Sequence, residues 1–173
     1  MGLFDARLSS KGSAILLLLA ALVLLRPWET WDELWRDEPP VSAVAYVTRA
    51  VDGDTIEVRL GGDEEDVRYI GVDTPETVKP DTPVQCFGPQ ASEFNHSLVE
   101  HRRVRLVFGV ERRDVYGRLL AYVYLGDRFV NAELIRRGLA RTLTIPPNDR
   151  FAGRLKRLEK AAARAGRGLW GAC

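Results

Sequence analysis

Four carboxylates fall at the ends of two β-rich runs: Asp52 and Asp54 in Val51-Asp-Gly-Asp-Thr-Ile56, and Asp73 and Glu76 at the close of Val67-Arg-Tyr-Ile-Gly-Val-Asp-Thr-Pro-Glu76. Hard divalent cations such as calcium take several oxygen ligands, and aspartates delivered from neighbouring strand ends supply them without long side chains. Asp54 and Asp73 are the natural pair. Glu76, left over nearby, is suited to orient or deprotonate a water rather than to bind the ion. Arg68 opens the second run and is placed to bind a phosphate held at such an ion. Its odd offset from Asp73 puts the two on opposite faces of an ideal strand, so the pairing requires a bend, which Gly71 permits. The plainer alternative is that Asp52-Gly53-Asp54 is only a hairpin corner.

The elements that hold these residues are strands. Ala43 to Val51 and Thr55 to Leu60 flank the Asp-Gly turn, and Gly61-Gly62-Asp63 makes a second turn before the apolar run Val67 to Val72, so three antiparallel strands follow one another. Pro75 stops the third. Thr77 to Phe87, with Pro80 and Pro83 and no periodicity, reads as an exposed loop bordering the carboxylates. Gly88-Pro89 opens a helix with Ala91, Phe94 and Leu98 on one face and Glu93 and Glu100 on the other. Arg103 to Phe108 alternates basic and apolar residues as a strand, Glu111 to Arg118 is a charged turn bent at Gly117, and Leu119 to Leu125 is a further strand. Arg118, just past that bend, is placed to point along the surface towards a ligand; the plain reading is a solubilising turn arginine. Val130 to Arg137 reads as a short helix closed by Gly138. A longer helix after Pro146-Pro147 has Phe151, Leu155, Leu158 and Ala162 as its core stripe. Trp170 is expected to pack the end of the chain against the domain.

The chain has 173 residues and is 46% hydrophobic, which suits one domain with a sizeable core once a leader is set aside. Ala14 to Leu25 is an uninterrupted apolar run behind Arg7 and Lys11, the order of an export signal or a short membrane anchor. No small-x-small cleavage site follows closely, and Trp28, Trp31 and Trp35 suit a headgroup region, which favours an uncleaved anchor over a cleaved signal. The globular part is expected outside the cell membrane, or secreted if the leader is cleaved. Pro39-Pro40 ends the leader, giving a 1–40 leader with its hydrophobic segment at 14–25, and a 41–173 domain. Cys86 and Cys173 fit an exported domain in which a disulfide ties a loop to the terminus; two unpaired thiols are the other reading. Neither cysteine has a ligand-spaced cysteine or histidine, which argues against a zinc site, and His96 and His101 read as structural or surface residues. With 25 Lys+Arg against 24 Asp+Glu overall, bulk charge does not identify a nucleic-acid binder.

The order of motifs resembles the staphylococcal nuclease (thermonuclease) family. It rests on Val51-Asp-Gly-Asp-Thr55, Arg68-Tyr-Ile-Gly-Val-Asp-Thr-Pro-Glu76, Gly88-Pro-Gln-Ala-Ser92, Asp114-Val-Tyr-Gly-Arg-Leu-Leu-Ala-Tyr122, Val130-Asn131 and Arg167-Gly-Leu-Trp170, and it spans roughly Val44 to Trp170. The resemblance implies an α+β fold, a five-stranded Greek-key barrel of the oligonucleotide-binding type with three helices, here preceded by the hydrophobic anchor or signal helix. It implies a monomeric calcium-dependent nuclease that hydrolyses phosphodiester bonds of DNA and RNA and leaves 3′-phosphate ends. Asp54, Asp73 and the backbone carbonyl of Thr74 would hold the calcium, Glu76 would act on the attacking water, and Arg68 and Arg118 would bind the scissile phosphate. Asp52 would support the turn or the ion from behind. Two features depart from the family: Arg141-Thr-Leu-Thr-Ile-Pro146 lacks the tyrosines that help hold a base, and the loop from Thr77 to Phe87 has a single basic residue, Lys79. The rival readings are a catalytically inactive nucleic-acid-binding barrel and an interaction module displayed at a membrane. The full set Asp54, Arg68, Asp73, Glu76 and Arg118 separates an enzyme from a binder, since binding alone does not need all of them together.

Overall fold

The computed structural model describes residues 41–77 and 83–173; the leader with its apolar segment 14–25 lies outside the described residues. Strands β1 (Ser42–Ala50), β2 (Thr55–Leu60) and β3 (Asp63–Tyr69) form an antiparallel meander. Alternation sets their faces: Ala45 and Val47, Ile56 and Val58, and Val67 and Tyr69 are buried inside the ring. Gly61 and Gly62, at φ +65° and +110°, provide the left-handed backbone of the tight β2–β3 turn.

The third strand starts at Asp63, four residues before the apolar run predicts. Its charged half pairs fully with β2, and Glu65, opposite buried Val58, is held by Arg113 at 2.7 and 2.9 Å. It also ends early. After Tyr69, Gly71 at φ +81° turns the chain into the separate short strand β4 (Gly71–Asp73). Ile70 keeps one bond to the barrel, from its N–H to the Ala121 carbonyl at 3.0 Å.

After β4 comes helix α1 (Gly88–Val99), then β5 (Arg103–Arg113) and β6 (Leu119–Leu125). β5 runs five residues beyond the predicted Phe108, through an irregularity in its register with β6, so the charged turn shrinks to residues 114–118. Asn148 braces that irregularity: its side chain accepts from Glu111 N–H at 3.0 Å and donates to the Glu111 carbonyl at 2.8 Å. β5 pairs with β1 and β6, and β6 closes the ring by a parallel pairing with β3. The result is the expected five-stranded barrel, in the order β3-β2-β1-β5-β6.

The remainder seals the barrel. The two-residue strand β7 (Arg128–Phe129) leads into α2 (Val130–Arg137), then β8 (Arg141–Leu143), which pairs with β4, and α3 (Ala152–Arg164). With α1 these give the three predicted helices among the described residues, followed by a single turn, α4 (Leu169–Ala172). Buried Asn131 at the start of α2 accepts from Val123 N–H at 2.9 Å and donates to the Ile70 carbonyl at 2.8 Å. It thereby satisfies a polar group exposed by the break after β3, which would otherwise be costly to bury. Leu155 and Ala162 of α3 are buried as its periodicity predicts. At the chain end it is Leu169 that is buried, while half-buried Trp170 lies under the Arg141 guanidinium at 4.4 Å. Cys86 and Cys173 are joined, linking the segment before α1 to the end of α4.

Candidate active site

The β1–β2 corner closes on itself through Asp52, whose Oδ1 accepts from Asp54 N–H at 2.9 Å. The corner is fastened to the rest of the protein by Asn95 of α1, which is fully buried. Asn95 Nδ2 donates to the Asp52 carbonyl at 2.8 Å and its Oδ1 accepts from the Tyr69 hydroxyl at 2.9 Å. Gly53 lets the corner lie directly on Thr74: a Cβ there would fall 2.7 Å from the threonine side chain.

Asp54 follows, 4% exposed. Its Oδ2 accepts from Thr74 N–H at 2.7 Å and Thr74 Oγ1 at 3.0 Å, and its Oδ1 lies 2.6 Å from Arg68 Nη1. Burial pushes its pKa up to about 6 and the charge of Asp52 adds to the rise, against the pull of Arg68 and the Thr74 bonds in the other direction. A further cation beside this buried carboxylate would favour its charged form.

The bend required to bring Asp73 to Arg68 is present. β3 ends, Gly71 turns the chain, and Asp73 comes round so that its Oδ1 lies 3.2 Å from Arg68 Nη2, while Arg68 Nη1 donates to the Val72 carbonyl at 3.1 Å. Arg68 sits opposite Thr55 on one side and Leu120 on the other, which brings the strand-end residues and Arg118, two positions before Leu120, to one region of the barrel wall.

Arg118 is held by Asp114. One carboxylate oxygen of Asp114 accepts from the N–H groups of Tyr116 and Arg118, both at 3.0 Å, and the other holds the guanidinium at 2.8 and 2.7 Å. Glu76 lies past Pro75; its N–H donates to Gln85 Oε1 at 3.0 Å and its own Oε1 accepts from Thr77 N–H at 2.9 Å. The six predicted site residues, Asp54, Arg68, Asp73, Thr74, Glu76 and Arg118, line one open cleft of about 490 Å³, with Asp52 and Tyr116 at its wall.

Sequence reasoning assigned no role to Asn95, Gln85, Asp114 or Tyr116. Asp114, four residues before Arg118 in a glycine turn, carried a legible signal for a turn that also orients an arginine. Asn95 carried none, being one polar residue on a helix.

The donors suit a hard cation. Among the described residues no three His, Cys, Asp or Glu side chains converge as a ready cage. Two carboxylates do converge on a single positive group, the Arg68 guanidinium, which bridges Asp54 and Asp73. Carboxylate, carbonyl and water oxygens are the ligands calcium accepts.

Residues 66–172 match the family model described as "Staphylococcal nuclease homologue". The chain is 42% identical over 158 residues to a protein named Thermonuclease from Staphylococcus intermedius, which covers 90% of this chain and 94% of that protein. This chain belongs to the staphylococcal nuclease family. The nuclease is also 44% identical over 124 residues to Thermonuclease of Staphylococcus hyicus, covering 72% of this chain and 73% of that one. A third relative is the SPbeta prophage-derived endonuclease YokF of Bacillus subtilis, 44% identical over 124 residues that make up 70% of this chain and 42% of YokF. The family match takes in Arg68, Asp73, Thr74, Glu76 and Arg118 and begins after Asp54, which the fold brings to the same cleft.

Proposed function

We propose that this nuclease hydrolyses phosphodiester bonds of DNA and RNA with calcium as cofactor and leaves 3′-phosphate ends. The observation that carries the reading is the convergence of Asp54 and Asp73 on one cationic centre, in a cleft that also holds Glu76 and a second arginine. Asp54, Asp73 and the Thr74 carbonyl would hold the ion. Calcium bound there supplies positive charge to a phosphate oxygen at neutral pH.

The protein's own groups account for the rest. Glu76 takes a proton from water, and the resulting hydroxide adds to phosphorus as the bond to the 5′-oxygen breaks; the departing oxygen takes up a proton from solvent, leaving a 5′-hydroxyl and a 3′-phosphate. Arg68 and Arg118 present planar pairs of N–H donors to the equatorial oxygens, whose charge grows in the five-coordinate transition state. Asp114 fixes the Arg118 guanidinium before substrate arrives, so its orientation costs little at the moment of reaction.

The nuclease acts as a monomer, outside the cell membrane on an uncleaved anchor, or secreted where the leader is removed. The apolar run 14–25 with its following tryptophans supports that placement. The test is end-group analysis: a labelled single-stranded DNA and its RNA counterpart are incubated with the full chain and calcium. Products should gain a labile terminal phosphate at the 3′ side, removable by phosphatase. Ends with 3′-hydroxyl and 5′-phosphate would contradict the assigned polarity.

A further inference from the structure

Glu76 lies beyond the last ladder contact of β4, where Asp73 pairs with Arg141. Its backbone is held by a two-way clasp with Gln85. Gln85 Oε1 accepts from Glu76 N–H at 3.0 Å, and Gln85 N–H donates to the Glu76 carbonyl at 2.9 Å. Gln85 is exposed, and hydrogen bonds at the surface compete with water, so the clasp needs an anchor of its own.

Cys86, the next residue, is bonded to Cys173. Cys173 closes α4 with its N–H on the Leu169 carbonyl at 3.1 Å, and α4 is seated by buried Leu169, whose N–H donates to the Gly138 carbonyl at 2.9 Å. Gly88 braces the other side: its N–H donates to the Gln85 carbonyl at 3.0 Å, and a Cβ on it would fall 3.0 Å from the Glu76 carbonyl oxygen. The chain from α2 through α4 and the sulfur bridge to Gln85 thus forms one brace behind Glu76.

We propose that Gln85 is a positioning residue for Glu76 and that the Cys86–Cys173 bond holds it in place, so that full turnover requires the oxidised chain. This inference rests on Glu76 acting as the base. Reduction by a dithiol adds two electrons and two protons across the sulfur–sulfur bond; two thiols form and the dithiol closes to its own disulfide. Gln85 then keeps its tie to Gly88 but loses its tie to α4, and the approach of Glu76 to the water is no longer fixed from both sides. Activity is low where thiols are kept reduced and rises in an oxidising compartment, which matches an enzyme that meets its substrate only after export. Displacing a general base by about an ångström costs up to about a hundredfold in rate.

The experiment compares the full chain before and after dithiol treatment, on short single-stranded DNA with calcium. It includes Gln85→Ala, Gln85→Glu, a Cys86→Ser, Cys173→Ser double variant and Glu76→Gln. Reduction should lower kcat at least about tenfold with KM within about twofold. The double serine variant should show the same low kcat and ignore dithiol. Gln85→Ala should be slow, and Gln85→Glu, whose carboxylate still accepts from Glu76 N–H, should recover most of the rate. The residual rate of Glu76→Gln should not fall on reduction. Amide exchange at Glu76 and Gln85, followed without calcium or substrate, should quicken at least about tenfold after reduction.

Equal kcat in both redox states would overturn the proposal. So would two titratable thiols in the untreated chain, unchanged exchange at Glu76, or a loss on reduction in Glu76→Gln as large as in wild type, which would mean general loosening. If no form cuts nucleic acid, the assignment of Glu76 fails, and the exchange data still decide whether the bridge holds the clasp.

Discussion

Replacing Asp54 with asparagine should stabilise the metal-free chain at neutral pH and remove its response to calcium. Asp54 is 4% exposed, and burial with the charge of Asp52 lifts its pKa to about 6, some two units above the ~3.9 of an unfolded chain. A carboxyl group with a raised folded-state pKa binds its proton more tightly when folded. Stability therefore falls as pH rises from about 4 to about 6 and levels off above that. Two units correspond to about 3 kcal/mol of differential interaction. Asparagine keeps the shape of the neutral form; its amide oxygen still accepts from Thr74 N–H, and its NH2 group, in the place of Oδ1, requires the Arg68 guanidinium to turn towards Asp73. In chelator at pH 7, Asp54→Asn should exceed wild type by about 2–3 kcal/mol, about 5–10 °C in Tm for a domain of this size, and the two should converge near pH 4. Urea denaturation of the full chain at both pH values measures this directly. Calcium should then raise the stability of wild type and leave the variant unchanged, because only the folded carboxylate site binds the ion. A variant less stable than wild type at pH 7 in chelator would refute the reasoning. It would mean that the Arg68 ion pair stabilises the ionised aspartate more than burial penalises it.

Three further outcomes are expected. Arg118→Ala should lower kcat about a hundredfold by removing transition-state charge stabilisation, and Asp114→Ala, which releases the guanidinium and the turn N–H groups of Tyr116 and Arg118, should lose about tenfold with calcium affinity unchanged; steady-state kinetics and calcium titration separate the two. Apparent calcium affinity should fall about tenfold per pH unit below about 6, since proton and cation compete for the Asp54 carboxylate; a flat profile from pH 5 to 8 in titration calorimetry would exclude Asp54 as a ligand. Asn95→Ala leaves the Asp52 carbonyl and the Tyr69 hydroxyl without their partner, and should cost about 2–4 kcal/mol in denaturant unfolding.

Local pattern made most of the barrel legible. β2 and β6 have the ends that turn residues and alternation predict, because each is bounded by glycine or aspartate turns and carries a clean apolar face. β3 departs from its sequence pattern at both ends for opposite reasons. Its first four residues, Asp63 to Asp66, are all acidic and carry no apolar signal, while its last predicted residues lie past a break that a single glycine creates. β5 runs longer than its pattern shows because Gly109 and the charged run after it resemble a turn, and the residue that keeps them extended, Asn148, is far away in sequence. The candidate site residues are legible as types at strand ends and turns. What sequence could not show is how they are held: Asn95 behind Asp52, Asp114 under Arg118 and Gln85 beside Glu76 are contacts across the fold or a loop, which no periodicity encodes.

The central claim is that Glu76 acts beside a calcium-loaded Asp54–Asp73 site. Cleavage of single-stranded DNA by the full chain, with calcium, with chelator, and with Glu76→Gln, tests it most directly. Cutting that requires calcium, and that Glu76→Gln slows at least about a hundredfold while still binding calcium, is the predicted result. Binding of DNA without cutting would turn the chain into a silent barrel of this fold. Undiminished cleavage by Glu76→Gln would contradict the assignment of the base.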